Sequence, residues 1–186
     1  MPLSNDPKPL SQVPHALTPA RTSTIPAVTT QGTASSAQRE KLCLLINSRN
    51  PIITVETSEE QRFLELLGAV AQELTVPLYI WSVTEGLGKA GGAALYNSDQ
   101  PEQALANIAT IQGDAIFLLK DFARYCDNDR ISRRLRDLAD GFRTARRSIV
   151  LLAASIQLPA EVAADAAPFQ LGLPGAEELL AGVRFV

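Results

Sequence analysis

Apolar residues recur along this chain in two alternating kinds of pattern, and the alternation predicts an order of elements. The stretch 37–48 puts Leu42, Leu45 and Ile46 on one helical face, with Ser36 as N-cap. Arg49-Asn50-Pro51 ends that helix, because proline disfavours the helical region for the residue before it. Residues 51–56, Pro-Ile-Ile-Thr-Val-Glu, are β-branched and read as a buried strand. Ser58 and Gln61 have the spacing of a capping box, and the helix they open carries Phe63, Leu66, Leu67, Val70, Ala71 and Leu74. A second strand follows over 76–83, then a Gly-rich loop over 85–99. A helix from Pro101 turns Ala104, Leu105, Ile108 and Ile111 inward. The third strand, 114–119, is the most apolar. The next helix, 130–146, has Ile131, Leu135, Leu138 and Phe142 on one face, and 148–153 is the fourth strand. Residues 168–173 give a fifth strand and 176–186 a last helix.

Strands that do not alternate, separated by amphipathic helices, indicate a parallel sheet covered on both faces. The fold class that follows is α/β, a doubly wound and mostly parallel sheet. Residues 1–38 differ in kind. They hold six of the 12 prolines, eleven serines or threonines and no Phe, Tyr or Trp. Such a segment buries too little apolar surface to offset its ordering entropy, so a disordered leader is expected over 1–38 and the α/β domain over 39–186. No apolar core of a secretory signal follows the start.

Composition narrows the function. Apolar residues make up 46% of the 186 and charged ones 20%, enough for a core without disulfides or metals. The net charge of −3 speaks against a dedicated nucleic-acid binder. Cys43 and Cys126 form no CxxC, which excludes a disulfide scaffold and a structural zinc site. The single histidine, His15, lies in the leader, so His-based triads and metal clusters are nearly excluded. No run of 18 apolar residues occurs, and no membrane span is expected. The expected location is the cytoplasm.

In a doubly wound sheet ligands bind outside the carboxyl ends of the strands. A P-loop would follow the first strand there, but the chain reads Glu56-Thr-Ser-Glu-Glu60, without glycine or lysine. Its carboxylates suit a helix start and repel a phosphate. The nearest mimic of a Walker motif is the loop around Gly88-Lys89. It lacks the earlier glycine, where Val83 stands, and has Ala90 in place of the Mg²⁺-binding hydroxyl. Asp121, ending the third strand, could imitate a Walker B carboxylate, but Lys120 precedes it and no Glu follows; a local bond to a loop N–H is the expectation. Lys89 and Asp121 are thus the nucleotide candidates of a rival reading, a cryptic phosphohydrolase. No catalytic residue, metal or cofactor is assigned. Nine cations stand against five carboxylates between Lys120 and Arg147, a net +4 that leaves −7 for the rest of the chain. Arg133–Asp137 and Arg136–Asp140 have i,i+4 spacing. Arg133, Arg136 and Arg143 lie off the apolar stripe and are the interaction candidates, either as a solvated face or as a docking face for an acidic partner or a neighbouring subunit.

Several segments together are similar to a known family: Arg49–Thr57, Pro77–Thr84 with Gly86-Leu87, Ile116–Phe122, Arg133–Ala139 and Leu171–Pro174. Over about Lys41–Leu180 the chain resembles the amino-terminal domain of the hypothetical-chloroplast-reading-frame AAA+ ATPases of cyanobacteria, algal plastids and other bacteria. The resemblance implies a degenerate, P-loop-like α/β domain preceding a working AAA+ module, with ATP and Mg²⁺ expected only in that downstream module. None of the family's catalytic residues maps onto a position of this chain. The implied role is a non-catalytic accessory domain, truncated or split from its ATPase, serving subunit contact or substrate presentation. Its implied partners are an AAA+ module or subunit of the same system, or further copies of the chain, with no nucleic acid and no membrane. A free-standing adaptor for an acidic partner is the third reading. In photosynthetic members the family's implied biology is regulation of carbon use, and a plastid-encoded chain would reside in the stroma.

Overall fold

The computed structural model describes residues 31–173. Residues 1–30 of the expected leader and the helix expected at 176–186 lie outside them. The first helix, α1, spans Gln31–Asn47 and so begins six residues before the predicted start. Residues 31–38, assigned to the leader from composition, are helical, and Ser36 lies inside the helix rather than capping it. Leu42 and Ile46 are fully buried, as their spacing predicted, while Leu44 between them is exposed.

The strand β1 (Ile52–Glu56) leads into α2 (Glu60–Glu73), which buries Phe63, Leu67, Val70 and Ala71. Its capping box does not form: Glu59 is the N-cap and its side chain caps nothing. The Glu59 N–H instead donates to Thr57 Oγ1 at 3.0 Å, so a threonine turn replaces the expected serine cap. The strand β2 (Leu78–Ser82) is followed by β3 (Gly86–Lys89), where the sequence had suggested only a loop. Ser82 pairs with Gly86 across three residues, and Gly86 has φ +73°. That is a hairpin closed by a glycine in the left-handed region, and high glycine content hid the strand. Next come α3 (Pro101–Thr110), β4 (Ala115–Lys120), a 3₁₀ turn at Phe122–Tyr125 and α4 (Asp129–Phe142). Asn128 caps α4, its Oδ1 accepting from the N–H groups of Arg130 and Ile131. The helix ends four residues earlier than predicted. β5 (Arg147–Ala153), a one-turn α5 (Ala160–Ala163) and β6 (Ala166–Phe169) complete the order. β6 begins two residues before the predicted fifth strand.

The six strands lie in the order β3–β2–β4–β5–β1–β6. All neighbours are parallel except the β2–β3 hairpin. Successive residues of one strand serve opposite faces. Phe117, Leu119, Ile149 and Leu151 pack with Leu105, Leu135 and Phe142 of α3 and α4. Ile116, Leu118, Val150 and Leu152 pack with Leu42, Phe63 and Leu67 of α1 and α2. The result is the doubly wound, mostly parallel α/β layer that the periodicity predicted, and it gathers the carboxyl ends of the parallel strands at one edge.

Candidate functional site

At that edge the turn after β1 is tied to its neighbour by Thr57 N–H donating to the Ala153 carbonyl at 2.9 Å. Glu56 accepts the Ile156 N–H on Oε1 at 2.7 Å, so its carboxylate holds the chain leaving β5. Glu59 pairs with Arg62 one turn into α2. Lys120, at the end of β4, reaches Glu60 with Nζ–Oε1 of 2.7 Å. The lysine that spoils a Walker B reading therefore neutralises the acidic start of α2. The positive end of the α2 dipole is ringed by the chain's own carboxylates, none of which caps an α2 N–H, where a phosphate-binding turn would have no carboxylate.

Asp121 follows directly, in the left-handed region at φ +53°, a conformation Asp tolerates better than most residues. Its N–H donates to the Leu152 carbonyl at 2.7 Å and its Oδ1 stands 3.5 Å from Arg124 Nη2. The expected side-chain bond to a loop N–H is absent; the backbone of Asp121 makes the structural bond instead. Asp121, Arg124, Asp127, Ser155 and Gln157 line a polar hollow of about 360 Å³ beside the ends of β4 and β5.

Lys89 lies elsewhere. It pairs with Tyr79, which pairs in turn with Phe117, four residues before Asp121. The two candidates are thus separated by about 13 Å along the strands and by two strand spacings of about 4.8 Å across them. Lys89 borders a different hollow, with Gly68, Gln72, Pro77 and Ala90. Among the described residues no group of three or more His, Cys, Asp or Glu side chains is placed to hold a metal ion. No described helix is long and apolar enough to cross a membrane.

The cations of the 120–147 segment divide by what they touch. Arg146 bonds Asp114 through Nε and Nη2 at 3.2 and 3.1 Å, joining the entries of β4 and β5. Arg147 donates from Nη2 to the carbonyls of Ile108 and Ile111 at the end of α3, and its guanidinium lies 4.2 Å from the Phe142 ring centre. Desolvation pulls its pKa below the ordinary arginine value. Of the three interaction candidates, Arg143 bonds Asp165 at 2.5 Å across to the end of α5. Arg133 pairs with Asp137 at 2.5 Å on its own helix. Arg136 is half-buried with an unpartnered Nε, and Asp140, its expected mate, stands 3.6 Å from Arg143 instead. The three do not form one face of free charge. A charge count gives no sign of which arginines the fold uses; only the helical spacing of Arg130, Arg133 and Arg134, opposite the apolar stripe, marks the exposed ones.

The family match and the sequence relatives agree on a relationship. The family described as "SpoVK-like AAA ATPase, N-terminal domain" matches residues 38–171. The AAA domain-containing protein ycf46 of Guillardia theta is 30% identical over 139 residues, 73% of this chain and 28% of that protein. The ycf46 protein of Trieres chinensis is 28% identical over 143 residues, 75% of this chain and 29% of that one. The chain therefore spans under a third of the length of these curated relatives. A chain from a structure described as Drosophila ORC bound to DNA is 12% identical with a TM-score of 0.41, covering 81% of this chain and 99% of that chain, a likeness from which no shared ligand follows. By the match that runs from residue 38 to residue 171, the chain belongs to the family of SpoVK-like AAA ATPase N-terminal domains.

Proposed function

We propose that this domain is a non-catalytic accessory part of an AAA ATPase, serving subunit contact or substrate presentation rather than nucleotide chemistry. One observation carries the reading: the start of α2, where a P-loop would cradle phosphate, is filled by Glu56, Glu59 and Glu60, with Lys120 committed to Glu60. A phosphate entering there would meet repulsion from carboxylates and would have to break an ion pair to gain a cation. ATP and Mg²⁺ belong, in this reading, to another part of the full-length protein, as the partial coverage of the ycf46 relatives allows. Its partners are an AAA module or subunit of the same system, in the cytoplasm or a plastid stroma, where the domain has a regulatory role. The phosphohydrolase alternative needs Lys89 and Asp121 in one site, and they lie at opposite ends of the strands, two strand spacings apart.

The test is calorimetric titration of the purified chain with ATP and Mg²⁺. No saturable binding is expected up to millimolar ligand, a free energy no better than about −4 kcal/mol. Micromolar binding that Lys89→Ala or Asp121→Ala abolishes would overturn the reading in favour of the enzyme.

A further inference from the structure

With the engaged cations and the half-buried Arg136 set aside, the free positive charge of the 120–147 segment gathers at one place. Among the described residues Arg130 and Arg134 have no side-chain hydrogen bond or ion pair, and Arg133 has only the exposed Asp137 of its own helix. All three lie in the first half of α4 and border one open hollow of about 670 Å³. Ala109, near the end of α3, and Leu138 contribute its apolar part, and Asp129 and Asp137 its carboxylates. This arrangement does not serve the helix. Arg130 and Arg134 are like charges at i,i+4, and Arg130 stands in the first turn, at the positive end of the α4 dipole. Both terms destabilise the isolated helix, and the two carboxylates of the hollow, Asp129 and Asp137, leave its three arginines one positive charge in excess.

We infer that this hollow between α3 and α4 is a docking groove for an acidic peptide segment of a partner protein. The segment presents carboxylates to Arg130, Arg133 and Arg134, and an apolar side chain to Ala109 and Leu138. Planar guanidinium groups match carboxylates in paired hydrogen bonds, and neighbours on a helix stand about 5–6 Å apart, so one short segment can engage more than one. A nucleic-acid backbone fits less well. Its unbroken row of phosphates would pass Asp129 and Asp137, whereas a peptide can place its carboxylates between them, and the whole chain is net negative. The inference rests on the reading of the domain as a contact module. It moves the contact from Arg136 and Arg143 to Arg130 and Arg134.

The experiment is fluorescence anisotropy of the full chain with a labelled synthetic peptide of Glu-Glu-Leu repeats, at low and raised salt. Saturable binding that weakens with salt is expected. Arg130→Ala with Arg134→Ala should weaken it roughly fivefold or more, and thermal unfolding checks that the variant is folded. Lys41→Ala with Lys89→Ala removes the same charge elsewhere and should change binding by no more than about twofold. Ala109→Trp, which fills the hollow without changing charge, should weaken binding like the arginine pair. Equal binding by the arginine variant or by Ala109→Trp overturns the groove. So does tighter binding of an oligothymidylate of equal charge, or loss of the peptide signal through self-association of the chain. Absence of peptide binding in a chain that also ignores ATP overturns the groove alone; nucleotide binding overturns the functional reading and leaves the groove standing.

Discussion

Arg147 stands beside two stacked rings, 4.2 Å from the centre of Phe142 and 5.7 Å from that of Phe117, with its donors on the last carbonyls of α3. Those carbonyls carry the negative end of the dipole, and only that of Ile108 has a backbone donor, the Ile111 N–H at 3.3 Å, so one side chain serves acceptors, dipole and ring faces together. Replacing Arg147 by Ala should cost about 1–3 kcal/mol in urea unfolding, and Arg147→Lys should restore only part, because an ammonium cannot both stack and fork. Nothing in the sequence distinguishes this arginine from Arg134, which the fold leaves free. The difference is a matter of which ring and which helix end come near, and that is set by tertiary packing. Cys126 makes a second case. Burial pushes its thiol up to about 11 from an ordinary 9.0, with Asp127 adding to the shift. A raised pKa means that the neutral thiol is favoured in the folded state, so the associated stability is complete below pH 9 and lost as pH rises toward 11. Unfolding free energy should fall by about 2–3 kcal/mol more over that interval in the native chain than in Cys126→Ala, measured by chemical denaturation at several pH values.

The β2–β3 hairpin and the segment behind it form an element of their own. Ser98 is buried, its Oγ accepting the Leu87 N–H at 2.8 Å and donating to the Leu95 carbonyl at 2.7 Å. Its carbonyl accepts the Trp81 Nε1–H at 2.7 Å. A Cβ placed on Gly86 would lie 2.5 Å from Ser98 Oγ, on a backbone that already has φ +73°. Gly86→Ala should therefore destabilise by about 1–3 kcal/mol and loosen the 90–98 segment. Trp81 is the chain's single tryptophan, so a red-shifted native emission would report the loosening, and an unchanged spectrum would show that the segment tolerates the Cβ. At this scale the sequence was most legible where side chains repeat. Ile131, Leu135, Leu138 and Phe142 lie on the buried face of α4 as their spacing required. It was least legible where glycine removes the pattern, as in β3, and where backbone geometry chooses the cap, as at Thr57 and Glu59.

Taken whole, the molecule is a sheet with two unequal covers, α3, α4 and α5 on one side and α1 with α2 on the other. The second cover is two helices, so α1 matters although Leu44 and others of its described side chains are exposed. A chain beginning at Ser48 loses the fully buried Leu42 and Ile46 and uncovers the sheet beneath them. It should be less stable by about 3–6 kcal/mol, read as a lowered urea midpoint, and a midpoint unchanged from the full chain would show that α1 is dispensable. The doubly wound layer was legible because strand and helix periods differ. The filled crevice at its carboxyl edge was only half legible: the acidic turn is plain in the sequence, but the approach of Lys120 to Glu60 depends on β4 lying near β1, which no local pattern records. The same strand order governs how the chain must come together as it is made. Of the described strands β1 is made first, yet both its neighbours, β5 and β6, are made last. While β2, α3 and β4 can already associate, β1 waits with two unpaired edges until β5 has emerged and with one until Phe169 has, so its exposure to chaperones and to misassembly lasts for most of the domain's translation.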